Sequence, residues 1–356
     1  MEIIYKVERE INKQLDIFLE QNGDYTKKLY SSPKMLELVQ EMYSYPFFNV
    51  LFYNKKEELI GFIPFFSVKS SLFGNRLMSL PFSGHGGGLC LKKDLAKEEI
   101  KKIIKEMCNA IKEISNKERI DSVILRQINN FPEAYLNEGF VFGEKEHTFL
   151  IELTNEKEMW GNLDKKVRNG IRKAGKEGLK LIVEDSVYEW HKLHQKTMKR
   201  LGTPPVAKKH FKRIKEKFGG DFLIFFAEYN GKKIGDISFF VNNGCIFWST
   251  NDCLEEYRHL NVSSFLLFEC IKYGIEKKCK FLDMGVSRDN SNNFSFKIKW
   301  KPKLFDTSKM YYFFGKENFI SPNEKKYALV SNVWKRFMPE SVANLIGPRI
   351  RKGLGS

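Results

Sequence analysis

The sequence has few cysteines, and the six that it has are scattered along 356 residues. They are Cys90, Cys108, Cys245, Cys253, Cys270 and Cys279, and no two of them form a CxxC pair. Zinc sites and disulfide frameworks both need cysteines at characteristic spacings. The pattern therefore argues against both, and it predicts buried thiols in a reducing compartment such as the cytosol.

Long apolar runs are also missing. A membrane-spanning helix needs about 18 consecutive apolar residues, and no such stretch occurs. The first residues, MEIIYKVEREINKQLDIF, lack the basic segment followed by an apolar core that marks a secretory signal. We therefore expect neither a spanning helix nor a secretory signal in this sequence.

Acidic residues are too few to balance the basic ones. The chain has 60 Lys and Arg against 44 Asp and Glu, which gives a formal net charge of +16. An excess of this size favours a polyanionic partner: nucleic acid, a phosphate-rich small molecule or an anionic membrane face. Aromatic residues make up 14% of the chain, too many for a largely disordered protein. The length suits two domains.

An internal repeat supports the division into two domains. Residues 47–68 and 222–241 each contain an aromatic-rich strand, a polar turn and a second strand. The second strands share the pattern I-G-x-I-x-F-F, which begins at Ile60 and again at Ile234, an offset of 234 − 60 = 174 residues. The Asn230-Gly231 pair is typical of a hairpin turn. The repeat indicates a duplicated unit.

The elements that flank the two hairpins follow the same order. Each hairpin is preceded by a strand and two helical stretches, and is followed by a third strand, an amphipathic helix and a short strand. The predicted elements of the second copy are a strand at 179–183, helices from Ser186 and Ala207, a strand at 245–250, a helix at 262–278 and a strand at 280–284. We predict a mixed α/β (α+β) fold with mostly antiparallel sheets and flanking helices.

A basic segment opens the second half. Residues 164–180, DKKVRNGIRKAGKEGLK, predict a helix with an apolar stripe on one face. Four cations lie together on another face: Lys165, Arg168, Arg172 and Lys176. Arginine forks fit phosphate oxygens, so this face is either a phosphate-binding surface or a solvated helix face.

A second candidate segment runs from Asp283 to Trp300, DMGVSRDNSNNFSFKIKW. Alternation predicts that Phe296 and Lys297 lie in an aromatic strand, where the lysine either faces solvent or is a desolvated cation. Asp283 stands at a strand end and either caps the next loop or acts in the site. Arg288 either binds a phosphate or pairs with an acid.

These features resemble the FemABX aminoacyltransferases, which contain two GNAT (acyl-CoA N-acyltransferase) folds in tandem. The order of elements is that of the GNAT fold, and residues 168–178 are similar to the family's R-x-x-I-R-x-A-x-x-x-G run. Residues 283–300 are similar to its D-F-G-x-S … F-K-x-x-W/G stretch, with Met284 in place of the usual Phe. The resemblance implies an acceptor domain at 1–150, a donor and catalytic domain at 151–320, and a C-terminal helix with a basic tail at 321–356.

The resemblance also implies a function. The enzyme would be cytoplasmic and would move an amino acid from aminoacyl-tRNA to an amine of a nucleotide- or lipid-linked, peptidoglycan-type precursor, with no metal or resident cofactor. Lys297 and Phe296 would form the acyl-transfer centre, where the lysine stabilises the oxyanion of the tetrahedral intermediate. The implied substrate contacts are Lys165, Arg168, Arg172, Asp283, Arg288 and Trp300.

Two further segments supply candidate contacts. Residues 81–89, PFSGHGGGL, form either an acceptor wall around His85 or a flexible loop. The pattern L-H-x-x-T-x-x-R-x-G-x-P, which begins at Leu193, resembles family sequences near the substrate cleft and makes Arg200 a candidate contact. His191 and His194 share a helix face, but no third ligand stands at motif spacing, so we expect no metal there.

Two other functions stay open. One is an acyl-CoA-dependent N-acyltransferase acting on a sugar or exopolysaccharide precursor. GNAT enzymes of that kind usually hold the CoA pyrophosphate on a Q/R-x-x-G-x-G/A turn. Residues 257–264 lack these glycines, and β-branched Val262 would crowd a pyrophosphate, which counts against CoA. The other is a non-catalytic RNA- or membrane-binding protein. The basic, aromatic-bearing tail at 333–355 either lies on an anionic membrane at its inner face or packs on the second domain.

Overall fold

The chain divides between His147 and Thr148 into two units. The computed structural model describes residues 2–82, 84, 87–128, 132–315 and 325–355. Within these, the first unit also includes 306–315 and 352–355, and the second comprises 148–305 and 325–351. The sequence placed 306–315 in the second domain; in the structure this segment pairs with a strand of the first unit.

The first unit is a mixed sheet covered by helices. Its sheet has the strand order β1-β2-β3-β4-β6-β13, with β5 paired to β3. All its described pairs are antiparallel except β4 with β6, which α4 connects. The strands are β1 (Ile3–Glu8), β2 (Phe47–Asn54), β3 (Leu59–Val68), β4 (Arg76–Met78), β5 (Cys90–Leu91), β6 (Ser122–Ile128), β7 (Val141–Glu152) and β13 (Lys303–Phe313). The last two each have three or more residues in the second unit. The helices are α1 (Gln14–Asn22), α2 (Tyr25–Tyr30), α3 (Pro33–Tyr43), α4 (Lys97–Glu118) and α5 (Pro132–Asn137).

The second unit repeats this plan. Its sheet has the order β12-β11-β10-β9-β8, and only β11 with β12 is parallel among the described pairs, with α10 as the connection. The strands are β8 (Lys180–Val183), β9 (Phe222–Tyr229), β10 (Lys232–Asn242), β11 (Cys245–Cys253) and β12 (Phe281–Arg288). The helices are α6 (Glu156–Asn162), α7 (Lys165–Lys176), α8 (Val187–Leu201), α9 (Lys208–Phe218), α10 (Val262–Glu276), α11 (Asn292–Lys297), α12 (Lys325–Phe337) and α13 (Glu340–Leu354). The predicted mixed, mostly antiparallel fold is confirmed.

The repeated glycines stand at equivalent strand irregularities. The register of β2 with β3 shifts next to the Phe52–Gly61 pair, and that of β9 with β10 shifts just before Gly235. A Cβ atom on Gly61 would lie 2.9 Å from the carbonyl oxygen of Cys90, and one on Gly235 would lie 2.8 Å from that of Asp252. A larger residue would push the neighbouring strand away, which explains the glycine of the I-G-x-I motif.

One predicted element is wrong. The segment around Lys297 was predicted to be a strand, but residues 292–297 form α11 and residues 298–300 continue as a 3-10 turn. The Ser291 side chain accepts a hydrogen bond from the Phe294 N–H and so caps the helix. Among the described residues, no helix has the length and apolar composition that a membrane crossing requires.

Candidate active site in the second unit

Lys297 lies in an aromatic pocket at the end of α11. Its side chain is buried, with 6% of the residue exposed. The ammonium group lies 5.1 Å from the ring centre of Phe149 and 5.5 Å from that of Trp248. It donates a 3.3 Å hydrogen bond to the carbonyl oxygen of Val286. A lysine so enclosed makes strong electrostatic contacts with any group that reaches it, because little water screens it.

Burial also changes the acidity of this lysine. Desolvation lowers the pKa of Lys297 to about 8, while the negative charge of Asp283 acts in the opposite direction. The side chain therefore changes its charge near physiological pH. Perturbed groups of this kind are common at catalytic centres, where the shifted pKa suits proton transfer or charge stabilisation.

Phe296 and Trp300 extend the aromatic surface. The half-buried ring of Phe296 lies 6.2 Å from that of Trp248 and 6.3 Å from that of Trp300, measured between ring centres. Trp300 is buried, and its indole N–H has no hydrogen-bond partner among the described residues. The predicted pair Phe296-Lys297 thus places one side chain in the aromatic pocket and leaves the other partly exposed beside it.

Asp283 lies inside β12 and acts on Lys297. It is 1% exposed on β12, and its Oδ1 accepts a 2.7 Å hydrogen bond from the N–H of Gly285, which has a φ of 71°. The sequence analysis placed Asp283 at a strand end, but β12 continues to Arg288, so this hydrogen bond lies within the strand and does not cap a loop. The same carboxylate raises the pKa of Lys297. Arg288 is half-buried at the last position of β12.

A pocket of about 290 Å³ opens at the N-terminus of α10. Three cations line it, Lys166, Arg258 and Lys299, together with Phe296. Ser263 and Ser264, in the first turn of α10, also line it. The first N–H groups of a helix have no partner within the helix and carry a partial positive charge. The combination suits a phosphate group.

Val262 does not fill this pocket as the sequence suggested. Its side chain is 1% exposed and packs towards β10, where its Cγ1 would lie 2.6 Å from a Cβ on Gly235. Gly235 makes room for this side chain. Val262 is still one of the residues that line the pocket, and the sequence argument against CoA stays a prediction.

The predicted basic helix forms, and it contributes to the pocket through a residue that the sequence analysis missed. Val167, Ile171 and Ala174 are buried as predicted. Lys166, not one of the four predicted cations, lines the pocket. Gly170 does not break α7: a Cβ there would lie 2.9 Å from Oδ1 of Asn261, the residue before α10. The glycine therefore allows α7 to approach the pocket rim closely.

The four predicted cations of α7 have separate surroundings. The Arg168 guanidinium donates a 2.9 Å hydrogen bond to the carbonyl oxygen of Gly161. That of Arg172 lies 5.2 Å from the ring centre of Trp160. Lys165 and Lys176 are exposed. None of these four lines the pocket at α10. Their role in phosphate binding stays a prediction.

The remaining predicted contacts lie elsewhere. Arg200 forms a 3.1 Å ion pair with Glu255. His85 lies outside the described residues. His191 contacts the carbonyl oxygen of Val206 at 3.2 Å, and buried His194 contacts Oδ2 of Asp252 through its Nδ1, also at 3.2 Å. The two histidines therefore have protein partners of their own.

Asp252 belongs to a buried carboxylate pair that the sequence analysis did not identify. It stands directly opposite Asp236 on the neighbouring strand, and both are buried. The Thr250 hydroxyl donates a 3.1 Å hydrogen bond to Oδ2 of Asp236. Burial, and the neighbouring charge of Asp252, hold the pKa of Asp236 well above its usual range. Two facing carboxylates this deep do not both ionise easily.

Replacing Asp236 with asparagine is expected to raise the melting temperature, and to raise it more at pH 8 than at pH 4. The raised pKa means that folded Asp236 keeps a proton that the unfolded chain releases above about pH 4. The stability of the wild type therefore falls as pH rises through this range, whereas asparagine does not titrate. Calorimetry at both pH values tests this, since each kcal/mol gained in the free energy of unfolding raises the melting temperature by roughly 2–4 °C. Asp185→Asn, at an exposed position, is the control. An equal gain in melting temperature at both pH values would contradict the prediction.

Comparisons with known proteins concern the fold of this chain. Residues 161–297 match the model of the acetyltransferase (GNAT) domain family. No curated protein matches the sequence. The structure of FemX is similar over 93% of this chain and 100% of its own, at 14% identity and a TM-score of 0.65. That of L-PGS from Bacillus licheniformis is similar over 91% and 96%, at 16% identity and a TM-score of 0.53. A tandem GNAT protein from the clavulanic acid biosynthesis pathway is similar over 89% and 100%, at 9% identity and a TM-score of 0.55.

The family model assigns a GNAT-type acetyltransferase domain to residues 161–297, and the fold of the chain as a whole is similar to that of tandem GNAT proteins. Within that class, the predicted resemblance to FemX-like tandem GNAT proteins is confirmed as a likeness of fold that extends over nearly the whole chain.

Proposed function

We propose that the protein is an aminoacyltransferase that moves an amino acid from aminoacyl-tRNA to an amine of a nucleotide- or lipid-linked, peptidoglycan-type precursor. The observation that supports this most is the placement of Phe296 and Lys297. Phe296 lines the cationic pocket at α10, and the next residue is a buried cation in an aromatic enclosure. A phosphate-bearing donor in the pocket would have its acyl end near that cation.

The chemistry follows from this arrangement. The acceptor amine attacks the ester carbonyl carbon of the donor, and a tetrahedral intermediate with an oxyanion forms. The Lys297 ammonium stabilises that oxyanion in a site with little water. Collapse of the intermediate breaks the ester C–O bond and leaves the new amide. The proton that the attacking amine loses passes through a substrate phosphate to the ribose oxygen that leaves. The proposal requires no metal or resident cofactor.

The cations divide between two phosphate contacts in this proposal. Lys166, Arg258, Lys299 and the first N–H groups of α10 would bind the phosphate nearest the acyl end of the donor. Arg168 and Arg172 would bind a further phosphate, on the RNA backbone or on the precursor. A tRNA donor would also place the reaction in the cytoplasm.

The test compares donors directly. Purified protein is incubated with charged tRNA or with acyl-CoA, each with a nucleotide-linked peptide acceptor, and amide formation, donor hydrolysis and thermal stabilisation are measured. The proposal expects amide formation with charged tRNA. Donor binding without product from either donor would indicate a non-catalytic binding protein and would contradict it.

Arg258→Ser is expected to raise the KM for the donor roughly tenfold with a smaller change in kcat, because it removes a charge-assisted hydrogen bond to a phosphate. Arg213→Ser is the matched control. Both side chains are more than half exposed, at 58% and 56%, and each pairs with a glutamate three residues away. Equal effects of the two substitutions would exclude a specific donor contact at Arg258.

An acyl-CoA-dependent N-acyltransferase acting on a sugar or exopolysaccharide precursor is the second candidate. The open pocket at the N-terminus of α10, with Val262 turned towards β10, supports it. Stabilisation by CoA together with transfer from acyl-CoA, and no transfer from charged tRNA, would favour this function over the first.

A further inference from the structure

The last two helices of the second unit are fixed on one side by α8 and the loop that follows it. The Lys199 ammonium donates a 2.9 Å hydrogen bond to the carbonyl oxygen of Trp334 and another to that of Met338. The Ser331 hydroxyl donates a 2.9 Å hydrogen bond to the carbonyl oxygen of Gly202. On α13, Gly347 packs against Pro205, since a Cβ there would lie 2.5 Å from the proline ring. These contacts cover one side of α12 and one side of α13, which we call their inner sides.

The outer sides carry exposed apolar side chains, which we call the outer stripes. Phe337 is 69% exposed and Leu345 is 71% exposed, the two highest values for large apolar residues in the described part of the chain. Val333 stands four residues before Phe337 on α12, and Val342 stands three residues before Leu345 on α13. These spacings place each pair on one helix face. Exposed apolar side chains arranged in this way indicate an interaction surface.

Cations accompany the outer stripes. Lys335, Arg336 and Arg349 are exposed, and Arg336 lies over the ring of Phe337 at 5.4 Å from its centre. Residues 325–351 contain one acidic residue, Glu340, and six basic ones: Lys325, Lys326, Lys335, Arg336, Arg349 and Arg351. The occupant of this surface should thus be negatively charged and also accept apolar side chains.

We propose that α12 and α13 dock the protein on an anionic lipid bilayer. Phe337, Leu345, Val333 and Val342 enter the boundary between headgroups and acyl chains, and the neighbouring cations contact the anionic headgroups. An RNA partner would explain the cations, but aliphatic side chains such as Leu345 do not stack on bases. The proposal is independent of Lys297 and of the donor, because it rests on a different part of the second unit.

The experiment measures binding of the full chain to phosphatidylcholine vesicles with and without phosphatidylglycerol, by co-sedimentation. We expect binding that needs phosphatidylglycerol and weakens with salt. Phe337→Ser with Leu345→Ser is expected to weaken it roughly tenfold or more. The matched control is Ile17→Ser with Leu72→Ser, since each of those side chains is 65% exposed in the first unit; it should bind like the wild type.

A second variant keeps the test decisive if the serine variant fails to fold. Lys335→Glu with Arg336→Glu leaves the apolar stripes intact and is expected to weaken binding to the anionic vesicles at low salt. Equal binding to both kinds of vesicle, or no loss in either variant, would overturn the proposal. So would a loss of affinity for tRNA with unchanged vesicle binding. Transfer to a water-soluble acceptor should be unchanged in both variants, which separates this result from any failure of the proposed function.

Discussion

Replacing Lys297 with methionine is expected to lower the rate of acyl transfer by roughly 10²–10³-fold, the usual effect of removing one stabilising group from an oxyanion site. The loss should appear in kcat, because the oxyanion exists only in the transition state and the intermediate. Methionine has a similar volume and suits the aromatic contacts of Phe149 and Trp248. The free energy of unfolding should be unchanged or higher, since a buried charge is removed.

The measurement is steady-state transfer from the donor that the protein uses, alongside thermal unfolding. Lys303→Met is the control, because Lys303 is an exposed lysine of the same unit that pairs with Glu152. Lys297→Arg keeps the charge but not the shape, and should retain only part of the activity, since the planar guanidinium does not superimpose on an ammonium held between two rings. Activity of Lys297→Met within a few-fold of the wild type would remove this residue from the mechanism.

The fold could be predicted well because its signals are local and repeated. The strands, turns and helices around Ile60 and Ile234 have the same order, and each element has a clear periodicity over its own length. The exception is the segment that contains Lys297. Alternation of Phe294, Phe296 and Ile298 predicts a strand, but the cap supplied by Ser291 and the contacts of Lys297 with Phe149 and Trp248 favour a helix. Tertiary contacts decide such short segments.

The donor pocket could not be predicted because its cations are far apart in the chain. Lys166 follows the N-cap of α7, Arg258 precedes α10, and Lys299 follows α11. Each one alone is an ordinary surface cation in a basic protein. The local signal is the helix start at Val262, where the small residues Ser263 and Ser264, rather than glycines, leave the helix N-terminus open. The carboxylate pair of Asp236 and Asp252 likewise depends on the register of two strands.

The pH dependence of transfer distinguishes two roles for Lys297. If its charged form stabilises the oxyanion, kcat should fall as pH rises through about 8, where the lysine loses its proton. A lysine that acts as a general base would give the opposite limb, because its neutral form would then be active. We expect the falling limb.

Asp283→Asn is expected to move that falling limb to lower pH. Burial lowers the pKa of Lys297, and the negative charge of Asp283 partly offsets this by raising it. A neutral asparagine removes that offset, so the pKa of Lys297 falls further. The asparagine side-chain oxygen can still accept the hydrogen bond from the Gly285 N–H, so this local contact within β12 is retained. The measurement is kcat across the pH range with the same acceptor for both proteins, which cancels titration of the acceptor amine. Asp185→Asn, at an exposed carboxylate paired with Lys215, should leave the profile in place. A rising limb, or a limb that Asp283→Asn does not move, would show that the ionisation of Lys297 does not control the reaction.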